Sequence, residues 1–333
     1  MRLGPMLTTN EKPRKAEKMH NKIQNVACVG SGLIGQGWAT LFTAGGYSVT
    51  MQDLTEDNLE LAVRQVNLNL VFLEDNGRLP QGAAGKAHHR LRTTTNLSEA
   101  LKDADYVQES VPDNYQDKRK IFREMDGLAP SGAILASSSS GLLMSEIQKV
   151  VSRPERCLLV HPFLPVHLLP LVEVVGGDKT KPDIVQVTCD LMEKLGKTPV
   201  RLKKEVSGYI VNRLQAAVLR EAIDLVTNGV ADAEEVDRAF CAGMGMRDPF
   251  IGPLLRAYLA GDGIESFIEN YSASYRVRWE SMATWNDISQ PQREVLVKSV
   301  NDMAVVRENE LAKIKTWRDK MLIEILKLNR NCC

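Results

Sequence analysis

The chain has 333 residues, more than one hydrophobic core usually fills, so two domains are expected. Its 44% hydrophobic and 25% charged residues are those of an ordinary soluble globular protein. The 42 basic residues balance 42 acidic ones, so nothing points to nucleic acid or a membrane surface, and no apolar run approaches the roughly 18 residues that span a bilayer.

Residues 1–21 mix Arg2, Lys12, Arg14, Lys15 and Lys18 with Glu11 and Glu17, lack the apolar core of a signal peptide, and read as a disordered leader. From there the pattern alternates. NVACVG is a buried strand, 33–44 a helix, YSVTMQD a second strand, and 59–76 a long helix that Gly77 closes. ADYVQES, AILASSS, CLLVHPF and LPLVEVV read as further strands. Strands alternating with helices predict an α/β, Rossmann-type doubly wound sheet over residues 22–203, with ligands at the carboxyl ends of its strands. Beyond 204 the strand pattern stops. Segments 209–228, 233–242, 263–285 and 291–328 read as helices, which predicts an all-helical domain over 204–330 for substrate binding and dimerisation. The six cysteines show no metal-like spacing with histidine, and Cys28 and Cys157 lie in apolar runs. They read as reduced thiols of a cytoplasmic protein, no metal is expected, and the closing Cys332–Cys333 pair has no assigned role.

Gly30-Ser31-Gly32-Leu33-Ile34-Gly35 fits the G-x-G-x-x-G fingerprint between a strand and a helix. Gly30 permits the turn, Gly32 lets a pyrophosphate approach, Gly35 lets helix pack on strand, and the helix N-terminus offers free amide donors at Leu33 and Ile34. Asp53 closes the second strand, where a carboxylate accepts the adenosine ribose hydroxyls and repels the extra phosphate of NADP. NAD is the predicted cofactor.

Glu173 sits inside an apolar strand, where a lone carboxylate is costly unless paired. His161, twelve residues earlier, is its natural partner: the carboxylate would fix the ring tautomer and stabilise the imidazolium while the other nitrogen removes a hydroxyl proton. Ser140, in the Ser137–Gly141 turn, and Asn212, in SGYIVNRLQ, are candidate donors to the substrate oxygen.

Taken together, the fingerprint, the serine-rich turn, His161-Pro162, PLVEVV and GYIVNRLQ resemble the 3-hydroxyacyl-CoA dehydrogenase superfamily over about residues 22–328. The resemblance implies that Ser140, His161, Glu173 and Asn212 are catalytic, and that Asp113 and Lys118 face the nicotinamide side of NAD. KEVSGYIVNRLQ, GMGMRDPFIGPL and WRDKMLIEILKL resemble the lambda-crystallin branch, whose activity is that of L-gulonate 3-dehydrogenase. This implies NAD-dependent oxidation of L-gulonate to 3-dehydro-L-gulonate, and a homodimer through the helical domain. Arg247 favours that branch, because a guanidinium binds a small carboxylate and a thioester offers none. L-carnitine and short-chain 3-hydroxyacyl-CoA substrates remain alternatives. So does a catalytically weak, crystallin-like NAD-binding paralogue, because the family's His-Pro-x-Asn-Pro is here His161-Pro162-Phe163-Leu164-Pro165. A leucine cannot replace the hydrogen bonds with which that asparagine helps hold the carboxylate.

Overall fold

The structure is a computed structural model that describes residues 23–329. The leader and Cys332–Cys333 lie outside the described residues. The chain divides into two compact units between Ile210 and Val211.

The first unit is built on one eight-stranded sheet: β1 (Asn25–Val29), β2 (Ser48–Gln52), β3 (Leu91–Thr94), β4 (Tyr106–Glu109), β5 (Ile134–Ser137), β6 (Cys157–Pro162), β7 (Leu171–Gly176) and β8 (Thr198–Arg201). Their spatial order is β3-β2-β1-β4-β5-β6-β7-β8. All neighbours pair in parallel except β6 and β7, which run antiparallel. The Rossmann α/β class expected from the alternating pattern is what forms, with the switch in strand order between β1 and β4.

Helices cover both faces, which is why the strands read as continuous apolar runs rather than alternating ones. The period of two still decides which core each side chain enters. Val26 and Cys28 of β1, Leu158 and Val160 of β6, and Val172 and Val174 of β7 share one core with the helices Leu33–Ala44, Glu56–Asp75 and Pro182–Lys194. Ala27, Val29, Leu159 and Val175 point the other way, to a core shared with the helices Leu97–Leu101 and Tyr115–Leu128. Thr55 and Asn114 cap the helices that follow them by accepting from Asn58 N–H and Asp117 N–H. Two short strands, β3 and β8, and the helix Pro253–Ala260 had no clear signal in the sequence.

Residues 204–210, grouped by sequence with the helices, stay with the sheet. Glu205 accepts from Met144 N–H and the Ser145 hydroxyl, and the Tyr209 hydroxyl donates to the Leu142 carbonyl at 2.7 Å. The second unit is all helical: Val211–Thr227, Ala233–Ala242, Pro253–Ala260, Ile264–Ser281, Gln290–Asp302, Ala304–Arg307 and Leu311–Asn329. The stretch expected to be helical over 291–328 is thus broken at Met303 and again after Arg307. Its small buried core consists of Val226, Ala233 and Met303.

Gly30 has φ of +95°, and a Cβ there would lie 2.8 Å from the Ser110 carbonyl oxygen. Gly30→Ala therefore meets both backbone strain and a main-chain clash. We expect a loss of about 2–4 kcal/mol in urea unfolding.

Candidate active site

A cavity of about 840 Å³ opens at the carboxyl ends of β1, β2 and β4, lined among others by Gly30, Gly32, Asp53, Asn58, Ser110 and Val111. At the fingerprint, a Cβ on Gly35 would lie 1.9 Å from the Gly30 carbonyl, whereas one on Gly32 would meet nothing within 4 Å. Gly35 is thus a packing glycine, and Gly32 leaves open room beside the helix start. The first intrahelical bond runs from Gln36 N–H to the Gly32 carbonyl at 2.9 Å, so the amides of Leu33, Ile34 and Gly35 precede the hydrogen-bonded ladder. An open floor, amide donors ahead of the helical ladder and a helix N-terminus fit a dinucleotide's pyrophosphate.

Asp53 lies at the rim. Its Oδ2 accepts from the Ser31 N–H and hydroxyl, both at 2.7 Å, and its Oδ1 from Leu54 N–H at 2.8 Å and the Asn58 amide at 2.9 Å. Burial opposes its ionisation, but the hydrogen bonds from Asn58 and Ser31 outweigh burial and hold the carboxyl below its ordinary range.

A second, smaller cavity of about 160 Å³ is lined by Ile34, Ser110, Val111, Asp113, Lys118, Ser138, Ser140, His161 and Pro162. Five of the expected site residues meet here. The Ser140 N–H and hydroxyl donate to Asp113 Oδ2 at 2.9 and 2.8 Å. Burial raises the Asp113 carboxyl, but hydrogen bonds from Ser139 and Ser140 and the charge of Lys118 bring it below the usual range. Lys118 is 1% exposed, and its Nζ donates to Glu109 Oε1 at 2.7 Å and the Val111 carbonyl at 3.0 Å. Glu109 is fully buried and also accepts from Val111 N–H and the Ser137 hydroxyl, both at 2.6 Å. Sequence reasoning missed Glu109, although a carboxylate in the buried strand YVQE carries the same signal as Glu173.

His161 and Glu173 are direct partners in the antiparallel register of β6 and β7. His161 Nδ1 lies 2.9 Å from Glu173 Oε2, with both residues buried. With Nδ1 assigned as the donor to the carboxylate, Nε2 carries the lone pair. The ring sits between Phe163 and Tyr209, at centroid distances of 4.5 and 5.3 Å. The other carboxylate oxygen, Oε1, accepts from Ile210 N–H at 2.9 Å. Glu173 is therefore held through both oxygens while Leu164 points half-exposed away from the core.

Two family models match this chain end to end of the sheet unit and into the helices. The 3-hydroxyacyl-CoA dehydrogenase NAD-binding domain matches residues 25–206, and its C-terminal domain residues 208–297. The chain belongs to the 3-hydroxyacyl-CoA dehydrogenase family. It is an NAD-dependent dehydrogenase acting on CH–OH groups. Rabbit (Oryctolagus cuniculus) lambda-crystallin is 34% identical over 307 residues, 92% of this chain and 96% of that protein. L-carnitine dehydrogenase of a Pseudomonas species is 38% identical over 309 residues, 91% of this chain and 93% of that one. A solved NAD+-dependent dismutase, 5-formyl-3-hydroxy-2-methylpyridine 4-carboxylic acid 5-dehydrogenase, superposes with a TM-score of 0.78 at 29% identity, covering 92% of this chain and 98% of that one.

In this family member the remaining expected residues belong to the helical unit. Asn212 lies in the first turn of Val211–Thr227, two residues after the Ile210 that bonds Glu173. Arg247 is exposed in the turn between Ala233–Ala242 and Pro253–Ala260. Its guanidinium forms no ion pair among the described residues, because the adjacent Asp248 pairs with Arg256 at 2.8 Å. Among the described residues no cluster of three or more His, Cys, Asp or Glu could hold a metal, and no helix is long and apolar enough to cross a membrane.

Lys197 was also missed. Its buried ammonium donates to the carbonyls of Val166 and Leu169, in the loop that joins β6 to β7, and lies 5.7 Å from the Trp38 ring centroid. Desolvation by burial pushes it down to about 7 from the ordinary 10.5. Between these two values the unfolded chain binds a proton that the folded chain does not, so this group adds stability as pH rises from 7 toward 10. Urea unfolding should show the wild type gaining roughly 1–3 kcal/mol on Lys197→Met between pH 7 and 9.5. Equal pH dependence in both proteins would mean that Lys197 titrates normally.

Proposed function

We propose that this dehydrogenase oxidises the 3-hydroxyl of a small hydroxy acid, with L-gulonate to 3-dehydro-L-gulonate as the leading reaction. The observation that carries the chemistry is the buried His161–Glu173 pair opening onto the small cavity. His161 Nε2 takes the hydroxyl proton, and Glu173 stabilises the imidazolium so formed. Ser140 and Asn212 donate to the substrate oxygen as charge develops on it. NAD, when bound, supplies the hydride acceptor. Lys118 and Asp113 serve the nicotinamide side, while Gly30, Gly32, Leu33, Ile34 and Gly35 cradle the pyrophosphate. Asp53 accepts the adenosine ribose hydroxyls and disfavours NADP by charge repulsion.

The substrate reading rests on Arg247, whose guanidinium, in no ion pair among the described residues, matches a small carboxylate bidentately. L-carnitine and a pyridine carboxylic acid, named for two of the similar proteins, both carry that group. A short-chain 3-hydroxyacyl-CoA presents a thioester instead. L-carnitine is the second reading, favoured by the 38% identity and by a row of rings along Ile264–Ser281. There Phe267, Tyr271, Tyr275 and Trp279 follow one another, with Trp279 exposed. Arg278 already covers Tyr275 at 4.1 Å, which weakens that row as a site for a trimethylammonium group. Against an inactive crystallin-like paralogue stands the Ile210 amide, which supports Glu173 without any help from position 164.

The second unit's surface supports reading the protein as a homodimer. Leu254, Leu255, Tyr258 and Leu259, with Ile268, Val277 and Trp279, expose a large apolar area on two helices that have no fully buried residue. Among the described residues four cysteines are free, three of them buried, which suits a reducing cytoplasm.

NADH formation measured on L-gulonate, L-carnitine and 3-hydroxybutyryl-CoA, with NAD and NADP in parallel, tests this reading. Turnover on L-gulonate with NAD is expected, and turnover on carnitine alone would replace gulonate by the second reading. His161→Ala should lower kcat by about 10²- to 10⁴-fold and leave NADH affinity unchanged. Arg247→Ala should raise KM for the acid about tenfold or more, with the smaller change in kcat.

A further inference from the structure

Only Ser110 and Val111 line both cavities, and of the two only Ser110 has a hydroxyl. It follows directly on β4, its N–H donates to the Val29 carbonyl at 2.7 Å, and its own carbonyl presses on the fingerprint turn at Gly30. Its Oγ lies 2.9 Å from Ser138 Oγ. Geometry alone leaves either oxygen as the donor in that bond, but the partners of Ser138 settle the direction.

Ser138 Oγ also accepts from Trp38 Nε1 at 3.0 Å and from the Gln108 amide nitrogen at 2.8 Å. The indole N–H has no acceptor lone pair and only donates. The Gln108 amide is oriented in turn by the Tyr106 hydroxyl, which donates to its oxygen at 3.0 Å and which burial keeps as a phenol. A serine hydroxyl has two lone pairs and one proton. With both lone pairs filled, the Ser138 proton must go to Ser110 Oγ. Ser110 then accepts from Ser138 and keeps its own proton, for which there is no other hydrogen-bond acceptor among the described residues. The half-buried Ser110 presents this proton where the two cavities adjoin.

We infer that Ser110 is a directed hydrogen-bond donor to an oxygen of the nicotinamide half of NAD, and that Trp38, Gln108 and Ser138 fix the direction of its hydroxyl. The place follows from the cavities: Asp53 marks the adenosine end of the larger one, and His161 lines the smaller one. A hydroxyl between them meets the half of the cofactor nearer the chemistry. A chain of bonds running Tyr106 to Gln108 to Ser138 to Ser110 polarises each donor along it, which strengthens the last. The acceptor is a ribose hydroxyl or the carboxamide oxygen, which share the needed chemistry.

The test is the affinity of the full-length protein for NADH, ADP-ribose and ADP, by titration calorimetry without substrate. Ser110→Ala should weaken NADH about five- to twentyfold and leave ADP unchanged. A parallel loss with ADP-ribose assigns the ribose, and a loss with NADH alone assigns the carboxamide. Unchanged NADH affinity, or equal losses for NADH and ADP, would overturn the proposal, and ADP binding itself reports that the variant is folded. Ser110→Cys, a weaker donor of similar size, should fall between. Trp38→Phe leaves Ser110 in place but frees one lone pair of Ser138, so the hydroxyl pair can reverse. NADH should then weaken about two- to fivefold with ADP unchanged, an effect that a merely space-filling Ser110 would not show.

Discussion

Glu173 is a carboxylate on a strand whose neighbours are buried on both faces, and such a group persists only when its oxygens are hydrogen-bonded. That condition organises this end of the sheet. One oxygen needs His161, which requires β7 to run back along β6 with those two residues opposite each other. The other takes the Ile210 amide, which requires the chain to return past the sheet before it enters the helical unit. A slip of one residue in the β6–β7 register would turn Glu173 to the other core and orphan both partners. The antiparallel step in an otherwise parallel run is therefore the device that places a histidine and its carboxylate partner on one hairpin. The hairpin's loop is in turn tied down from within, by Val166 against Gly37 and by the Lys197 ammonium on two loop carbonyls.

The same rule repeats one layer over. Glu109 and Lys118 are both buried, and each is satisfied several times: Glu109 by Lys118, Val111 N–H and Ser137, Lys118 by Glu109 and the Val111 carbonyl. A buried ion pair of this kind adds little net stability over apolar packing, since desolvation offsets most of the attraction. What it supplies is geometry. It fixes the strand end at Ser110–Asp113, and Asp113 then fixes Ser140 through two bonds. Positions that would be cheaper as leucine are polar here because the cavity beside them has to be shaped and charged.

The parts of this arrangement that sequence reveals are those where polarity conflicts with an apolar pattern or where a turn demands glycine. Gly30, Gly32 and Gly35 announce the cofactor turn, and Glu173 in LPLVEVV demands a partner that His161 can be. Glu109 and Lys197 send the same signal more faintly, Glu109 because YVQE is a four-residue strand with a second polar residue, and Lys197 because it adjoins an exposed edge. The strands β3 and β8 were hidden for a related reason: both are edge strands of four residues, half-exposed, with no face apolar enough to show a period of two. Ser110 is invisible in sequence, because its role depends on which hydrogen bonds Ser138 accepts from residues 30 and 100 positions away from it.

The helical unit was legible as helices and illegible as a structure, for a physical reason. Periodicity says which face of a helix is apolar, and says nothing of what covers it. Beyond Pro291 the stretch to 328 holds no glycine or proline, yet it breaks at Met303, because that side chain turns into the small core beside Val226 and Ala233 while Ala304 N–H caps onto Glu234. Those are tertiary demands that no local propensity encodes. Many of this unit's large apolar side chains are exposed among the described residues, so its own small core does little to specify how its helices pack. The sheet unit satisfies its buried carboxylates internally, and the reaction chemistry is readable there. In the proposed reading, substrate choice falls to Arg247 and Asn212, which sit on the helical unit. Similar chains can therefore share the dyad and the cofactor turn and still differ in the acid they accept.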